Sequence, residues 1–179
     1  MKSSRAAIIA VALLVIAVAA WFVLRRGGAE GVDLLTHFEQ AKKQGGTFEV
    51  VDATLGNETK KAIAAPAAGR ITFHVKVPED GWLKVSLGLK PESWTTEGNG
   101  VHFYAGVSDG RSWEVLFTQT VNPFANPSER RWIPVTVDLS AYAGEEMDII
   151  LNTLTSGPGV APDARGDMPL WGAPEVVRR

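Results

Sequence analysis

From residue 47 onward, apolar and polar residues alternate in short runs separated by turns, a pattern typical of half-buried β-strands. The clearest run extends from Ile71 to Val77, where every second residue is apolar. Asp109-Gly110 lies between two such runs, and this dipeptide is a strong signal for a hairpin turn. We therefore predict an all-β fold, a jelly-roll β-sandwich of about eight strands. The Ala-rich stretch 60–68 is ambiguous. The predicted strands cover residues 48–55, 71–77, 82–89, 101–108, 113–121, 132–139, 148–155 and 170–177.

The segment before the predicted sandwich is dominated by an uninterrupted apolar run. Residues 6–24 are 19 consecutive residues without a charged side chain, and a helix of that length nearly spans a hydrocarbon core of about 30 Å. Trp21 near the end of the run, and Arg25 and Arg26 just after it, suit the membrane interface. The alternative is a cleaved signal peptide, because Ala17-Val18-Ala19 resembles a cleavage site. We expect an uncleaved, single-pass transmembrane helix, because the apolar run continues beyond that site.

A second predicted helix lies between the apolar run and the sandwich. Asp33 is a suitable N-cap for a helix of about ten residues, and Gly45-Gly46 end the pattern. Its predicted apolar face consists of Leu34, Leu35, Phe38 and Ala41. The predicted domains are therefore a transmembrane anchor at 1–26, a linker with this short juxtamembrane helix at 27–46, and the β-sandwich at 47–179.

The charge and the cysteine content remove several classes of function. The chain has 18 Lys and Arg against 20 Asp and Glu, and no Cys. From Gly27 onward, 14 basic residues face 20 acidic ones, a net charge near −6, and we expect no nucleic-acid partner for such a domain. Without cysteine, the chain has no disulfide framework, no thiolate zinc site and no cysteine nucleophile.

The sequence contains no recognisable catalytic motif. It has no HExxH zinc motif, no GxSxG nucleophile elbow and no glycine-rich phosphate loop, and its three histidines lack metal-site spacing. We therefore predict a protein that is not an enzyme and that has no cofactor. Asp163 and Asp167 leave a structural calcium ion open, although solvated loop carboxylates are the preferred interpretation.

The tryptophans divide into strand residues and loop residues. Trp82, Trp113 and Trp132 begin predicted strands, and we expect them to be in the core. Trp94 lies in a polar loop, and the sequence leaves open whether its ring is buried or exposed. An exposed loop tryptophan marks a contact site. The candidate ligand or partner contacts are three loop residues, Trp94, Asn99 and Phe124.

One combination of motifs links the chain to known domains. Residues 131–144 read RWIPVTVDLSAYAG, residues 97–103 read EGNGVHF, and Trp171-Gly172 precedes Pro174. Over residues 47–177 this combination resembles bacterial domains with a galactose-binding-like jelly roll, also described as carbohydrate-binding-module-like. The resemblance implies a β-sandwich in which Asp138 ends a strand and Gly144 lets the chain reverse. Asn99 stands where the family has the first Asp of a GDG pattern, which weakens a cation site at that position.

Two functions fit these observations. In the first, the chain is a non-catalytic accessory subunit whose sandwich braces other membrane-protein subunits of an electron-transport, photosynthetic or secretion complex. In the second, it is a membrane-tethered carbohydrate-binding module for cell-envelope glycans. Both functions place the helix in the lipid bilayer of the inner membrane, the N-terminus in the cytoplasm and the sandwich in the periplasm or otherwise outside the cytoplasm.

We expect the first function. The two functions differ in the surface that each requires. A sugar binder needs a concave face with an exposed tryptophan flanked by Asn, Asp or Arg, whereas a bracing subunit needs apolar loop tips and a span with one interface face.

Overall fold

The computed structural model describes residues 31–179, which form two antiparallel β-sheets packed against each other. The strands are β1 (Val32–Asp33), β2 (Lys42–Gln44), β3 (Glu49–Leu55), β4 (Glu58–Ala64), β5 (Gly69–Lys76), β6 (Gly81–Leu89), β7 (Val101–Ser108), β8 (Trp113–Val121), β9 (Ile133–Asp138), β10 (Glu146–Leu154) and β11 (Pro169–Arg178).

The strand order confirms the predicted all-β sandwich. The first sheet has the order β3-β4-β11-β6-β9, with β1 also paired to β11, and the second has the order β2-β5-β10-β7-β8. The eight predicted strands correspond to β3 and to β5 through β11, and the ambiguous stretch 60–68 supplies most of β4. Strands β7 and β8 form the hairpin predicted at Asp109-Gly110.

Alternating side chains from the two sheets fill the space between them. On β5, Ile71, Phe73 and Val75 are buried while their neighbours along the strand face outward. Trp171 on β11 is 0% exposed, and its ring meets the edge of Phe103 at 5.0 Å between centroids and 84° between planes. Burial of this apolar surface is the main favourable contribution to the stability of such a sandwich.

The prediction of a juxtamembrane helix is wrong. The Asp33 carboxylate does accept a hydrogen bond from the Leu35 N–H at 2.9 Å, but only a 3-10 helix at Leu34–His37 follows. Strand β2 then pairs with the edge of β5. An isolated helix of about ten residues is marginal in water, whereas this arrangement pairs backbone groups and buries the apolar residues together. The residues that suggested a helix face pack on the core: Leu34, Leu35, Phe38 and Ala41.

The chain enters the sandwich at the end where β11 finishes. Val32 pairs with Val176, and Gly31 lies so close to the Val176 carbonyl that a Cβ there would be 3.1 Å from its oxygen. Within the described residues, no helix has the length and apolar character needed to cross a membrane. The predicted anchor, with Trp21, Arg25 and Arg26, lies outside those residues.

The motif at 131–144 forms the corner after β9. Asp138 is the last residue of β9, and its carboxylate accepts a hydrogen bond from the Ser140 N–H at 2.8 Å. Gly144 has a φ of +80°, and its N–H donates to the Val77 carbonyl at 2.8 Å. The Tyr142 hydroxyl donates to Glu114 at 2.7 Å, and burial raises the pKa of Tyr142 to about 12. These contacts agree with the interpretation of the motif as a signature of the fold.

Candidate functional site

Three loops meet at the end of the sandwich opposite the point where the chain enters. They connect β6 to β7, β8 to β9 and β10 to β11. The Asn122 side chain donates to the Gly98 carbonyl at 2.8 Å, and the Asn99 side chain donates to the Ala161 carbonyl at 2.8 Å. The fold therefore brings the loops of Trp94, Asn99 and Phe124 together.

Trp94 is half-buried and has a structural role in its loop. Its indole N–H donates to the Leu89 carbonyl at 3.1 Å, and its ring packs on a small apolar cluster outside the main core. Arg130 donates to the Trp94 carbonyl at 3.2 Å and to the Pro123 carbonyl at 3.0 Å, tying the two loops together. The indole N–H is therefore not available to a ligand.

The loop end also exposes apolar side chains. Phe124 is 42% exposed, Val160 is 52% exposed and Met168 is 42% exposed. Phe124 lies on the β8–β9 loop, and the other two lie on the β10–β11 loop. This end therefore has the apolar loop tips that a contact with another protein requires.

Asp163 and Asp167, the two acidic residues considered for calcium, have different surroundings. Arg165 holds the Asp163 carboxylate through contacts of 2.7 Å to Oδ2 and 2.9 Å to Oδ1, and these hydrogen bonds lower the pKa of Asp163. Both carboxyl oxygens of Asp167 are buried without a hydrogen-bond partner among the described residues, as is Oδ1 of Asn99. Burial, with a smaller contribution from the Asp163 charge, raises the pKa of Asp167 to about 7. The absence of a cofactor stays a prediction, with calcium as the alternative left open by the sequence, and Asp167 is the carboxyl group without a hydrogen-bond donor among the described residues.

The three tryptophans predicted to be in the core have different environments. Trp132 is 4% exposed, but its ring lies over Gly88 and Gly172 in the small cluster outside the inter-sheet core. Trp82 is half-buried on the outer side of the first sheet. Trp113 is 54% exposed on the outer side of the second sheet. The core prediction is therefore wrong for Trp82 and Trp113.

A β-bulge explains the position of Trp113. Between Ala105 and Gly106 the pairing partner on β8 changes from Phe117 to Val115, so one extra residue lies on β8. Because side chains alternate along a strand, this extra residue exchanges the inner and outer faces. Phe117 packs against the core, whereas Val115 and Trp113 face outward.

Gly106 lets the Trp113 ring lie close to the sheet. A Cβ at position 106 would be 2.8 Å from the Glu114 carbonyl oxygen and 3.2 Å from Cε3 of Trp113, so a larger residue would require the backbone and the indole to shift. The Tyr104 ring meets Trp113 edge-on, at 5.5 Å between centroids and 72° between planes. The indole is therefore held against β7 while more than half of it stays accessible to solvent.

Polar side chains continue from Trp113 across the neighbouring strands. Trp113 pairs with Ser108, Ser108 with Asp148, and Asp148 with His74, so these four residues form one row on the outer face. His74 Nδ1 lies 2.9 Å from Asp148 Oδ1. A second row on the same face starts at Tyr104, which pairs with Asn152, and Asn152 pairs with Arg70. We call the following residues the Trp113 face: Trp113, Tyr104, Asp148, His74, Asn152 and Arg70.

This arrangement has the features of a sugar-binding platform. The C–H face of a sugar packs on an exposed indole, and a few well-placed polar groups bond its hydroxyls. The face has an exposed indole, a carboxylate and an arginine, which are among the features stated above for a sugar binder, and an amide, that of Asn152, which is only 7% exposed. Within the described residues, no group of three or more His, Asp or Glu side chains is placed to hold a metal ion.

Comparison of the sequence with known proteins gives one informative relative. No family model matches the chain. A protein of Archaeoglobus fulgidus described as uncharacterized is 38% identical over 130 residues. The match covers 72% of this chain but only 30% of that protein.

Comparison with solved structures gives several carbohydrate-binding modules. CBM51 from Clostridium perfringens GH95, solved with methyl-galactose, has a TM-score of 0.53 at 13% identity and covers 82% of this chain and 99% of that one. CBM51-2 of Clostridium perfringens ZmpB, solved with GlcNAc, has a TM-score of 0.56 at 13% identity over 84% of this chain and 32% of that one.

A third solved structure supports the same fold. TmCBM61, solved with beta-1,4-galactotriose, has a TM-score of 0.52 at 13% identity and covers 79% of this chain and 90% of that one. At this identity the likeness concerns the fold. The chain has a β-sandwich of the carbohydrate-binding-module type, as the motif resemblance implied.

Proposed function

We propose that this chain is a non-catalytic carbohydrate-binding module and that the Trp113 face holds the glycan. The observation that carries the proposal is the exposed indole of Trp113, held against Gly106 in a polar surrounding. The fold of the modules described above supports the class of function. Those modules favour the second function inferred from the sequence, a membrane-tethered carbohydrate-binding module, over a subunit of a membrane complex.

The binding mechanism follows from the two rows of side chains. One sugar ring stacks on the open side of Trp113, and Tyr104 keeps the indole from rotating. Hydroxyls of this ring and of the next bond to Asp148 on β10 and His74 on β5. With neighbouring strands about 4.8 Å apart, the face extends on the order of 14 Å from β8 to β5. That length suits a short oligosaccharide better than a single sugar.

The predicted membrane anchor belongs to this proposal. If residues 6–24 span the inner membrane, the module is tethered outside the cytoplasm and holds a glycan of the cell envelope. No enzymatic activity of the chain itself is required, because binding alone localises whatever the chain is attached to.

The proposal is tested by glycan-array binding of the full chain with two matched variants. Trp113→Ala and Phe124→Ala each remove one exposed aromatic ring, 54% and 42% exposed respectively. We expect at least one neutral glycan to bind, and Trp113→Ala to weaken it by about tenfold or more, since a stacked ring is lost. Phe124→Ala is expected to leave binding unchanged. Loss of binding in the Phe124 variant alone contradicts the assignment to the Trp113 face, and absence of any glycan binding contradicts the function.

The accessory-subunit function is favoured by one specific observation, the exposed apolar tips Phe124, Val160 and Met168. It is tested by purifying the full chain from its native membrane in mild detergent. Co-purification of stoichiometric partner subunits, lost in a Phe124→Ser variant, would support this function. Recovery of a free monomer would count against it.

A further inference from the structure

A pocket on the opposite sheet has a different character from the Trp113 face. It has a volume of about 320 Å³ and lies on the outer side of the first sheet, within the range of about 300–1,000 Å³ typical of ligand pockets. Its walls come from the ends of β6, β9 and β11. The lining residues are Trp82, Lys84, Thr136, Val177, Arg178 and Arg179.

The cations that line this pocket form no salt bridge within residues 31–179. Lys84, Arg178 and Arg179 form no ion pair and no side-chain hydrogen bond with any of the described residues. The Arg179 guanidinium lies 5.0 Å from the centroid of the Trp82 ring. Three cations and one aromatic ring therefore line the same pocket, in a part of the chain where 14 basic residues face 19 acidic ones.

The acidic residues near the pocket lie at its edges. Glu175 is the pairing partner of Lys84 and lines a neighbouring cavity of about 180 Å³. Asp138 is the pairing partner of Trp82, and its carboxylate accepts a hydrogen bond from the Ser140 N–H. Hydrogen bonds from Ser140 and, more weakly, the Arg179 charge lower the pKa of Asp138. The two cavities share Lys84 and Thr136, so together they form a groove along the sheet.

We propose that this pocket is a second glycan site, which binds a carboxylated or sulfated sugar unit of an acidic polysaccharide. The anionic group lies between Lys84 and Arg179, where charge-assisted hydrogen bonds are available. The sugar ring lies beside the stacked pair of Trp82 and Arg179, and Thr136 offers a hydroxyl. A recessed site with a single aromatic wall suits one sugar ring. The headgroup of an anionic bilayer is the alternative, and a recessed pocket of this volume favours a single sugar ring over an extended membrane surface.

The test uses titration calorimetry of the full chain with oligogalacturonate and with a neutral oligosaccharide. Lys84→Gln and Arg179→Gln remove single cations of the pocket, and Lys61→Gln is the control, since Lys61 is an exposed lysine of β4 that lines neither cavity. We expect oligogalacturonate to bind, with affinity falling as salt rises, and each pocket variant to weaken it by about tenfold or more. The Lys61 variant is expected to bind as the wild type does.

Other results would overturn the second site, and they differ from those that test the first. Loss of oligogalacturonate binding in Trp113→Ala but not in Lys84→Gln would place acidic and neutral sugars on one face. Absence of oligogalacturonate binding would also overturn it, whatever the neutral sugar does. Binding to phosphatidylglycerol vesicles that depends on Lys84, without binding to the sugar, would identify a lipid headgroup instead. Circular dichroism of each variant checks that the fold is retained.

Discussion

Asp167 provides a quantitative test of the packing at the loop end. Its carboxyl oxygens are buried without a hydrogen-bond donor among the described residues, so the folded state disfavours the charged form. Burial raises the pKa of Asp167 from 3.8 to about 7. The folded state therefore holds the proton more tightly than the unfolded state does. The contribution of this group to the free energy of unfolding is most favourable below pH 4, falls as the pH rises, and is fully lost above about pH 7.

The size of the effect follows from the difference in pKa. The pKa of Asp167 is about three pH units higher in the folded state than in the unfolded state. One pH unit corresponds to about 1.4 kcal/mol, so the full difference corresponds to about 4 kcal/mol. Because Asp167 is partly exposed as a residue, we expect solvent to reduce the penalty to about 2 kcal/mol. Asp167→Asn keeps the shape and removes the charge. We therefore expect this variant to be more stable than the wild type by about 2 kcal/mol at pH 8 and nearly equal to it at pH 4.

The measurement is urea denaturation from pH 4 to pH 8, with Asp163→Asn as the control. Asp163 is bonded to Arg165, so its neutral variant is expected to gain no stability at pH 8. An Asp167→Asn variant that is less stable at pH 8 would show that the carboxylate is charged and compensated, which refutes the reasoning. Adding calcium chloride to the same samples tests the alternative of a bound calcium ion. Stabilisation by calcium of the wild type, but not of the Asp167 variant, would establish it.

Three further substitutions test the fold and the construction of the Trp113 face by chemical denaturation. Trp171→Ala is expected to destabilise the domain by about 3–5 kcal/mol, because it empties the centre of the core, whereas Trp113→Ala is expected to cost less than about 1 kcal/mol. Equal costs would contradict the two environments. Leu34→Ala is expected to cost about 2–5 kcal/mol, since Leu34 is 0% exposed, and a negligible cost would mean that the segment 32–44 does not pack on the sandwich. Gly106→Ala is expected to cost about 1–3 kcal/mol and to weaken glycan binding, because its Cβ would lie 2.8 Å from the Glu114 carbonyl and would displace the indole; wild-type binding in this variant would contradict the role of Gly106.

The strands were predictable where one face of the strand is buried and the other is exposed to solvent. On β5 the period of two places Ile71, Phe73 and Val75 inside without ambiguity. The hairpin at Asp109-Gly110 and the corner at Gly144 were also predictable, because each turn needs a residue that tolerates positive φ. Local chemistry therefore determines these elements, and tertiary contacts agree with it.

The errors occur where tertiary structure overrides the local pattern. Leu34 and its apolar neighbours have helical spacing, but an open edge of β5 provides a better partner than an isolated helix. The bulge at Gly106 has no clear sequence signal beyond the glycine itself, yet it moves Trp113 from the core to the surface. The polar loop around Trp94 suggested a contact residue, but the folded chain uses the indole N–H of Trp94 in a hydrogen bond to the Leu89 carbonyl. The sequence thus predicted the class of fold and missed the surface that defines the candidate site.

The measurement that tests the central claim most directly is an NMR titration of the full chain, observing the indole N–H signals of its six tryptophans. A neutral glycan identified on the array is added stepwise, and the signals are assigned with single Trp→Phe variants. We predict that the Trp113 signal shifts with a saturating isotherm while the buried Trp171 and Trp132 signals stay in place. A titration that shifts the Trp94 signal and leaves Trp113 unchanged would contradict the account.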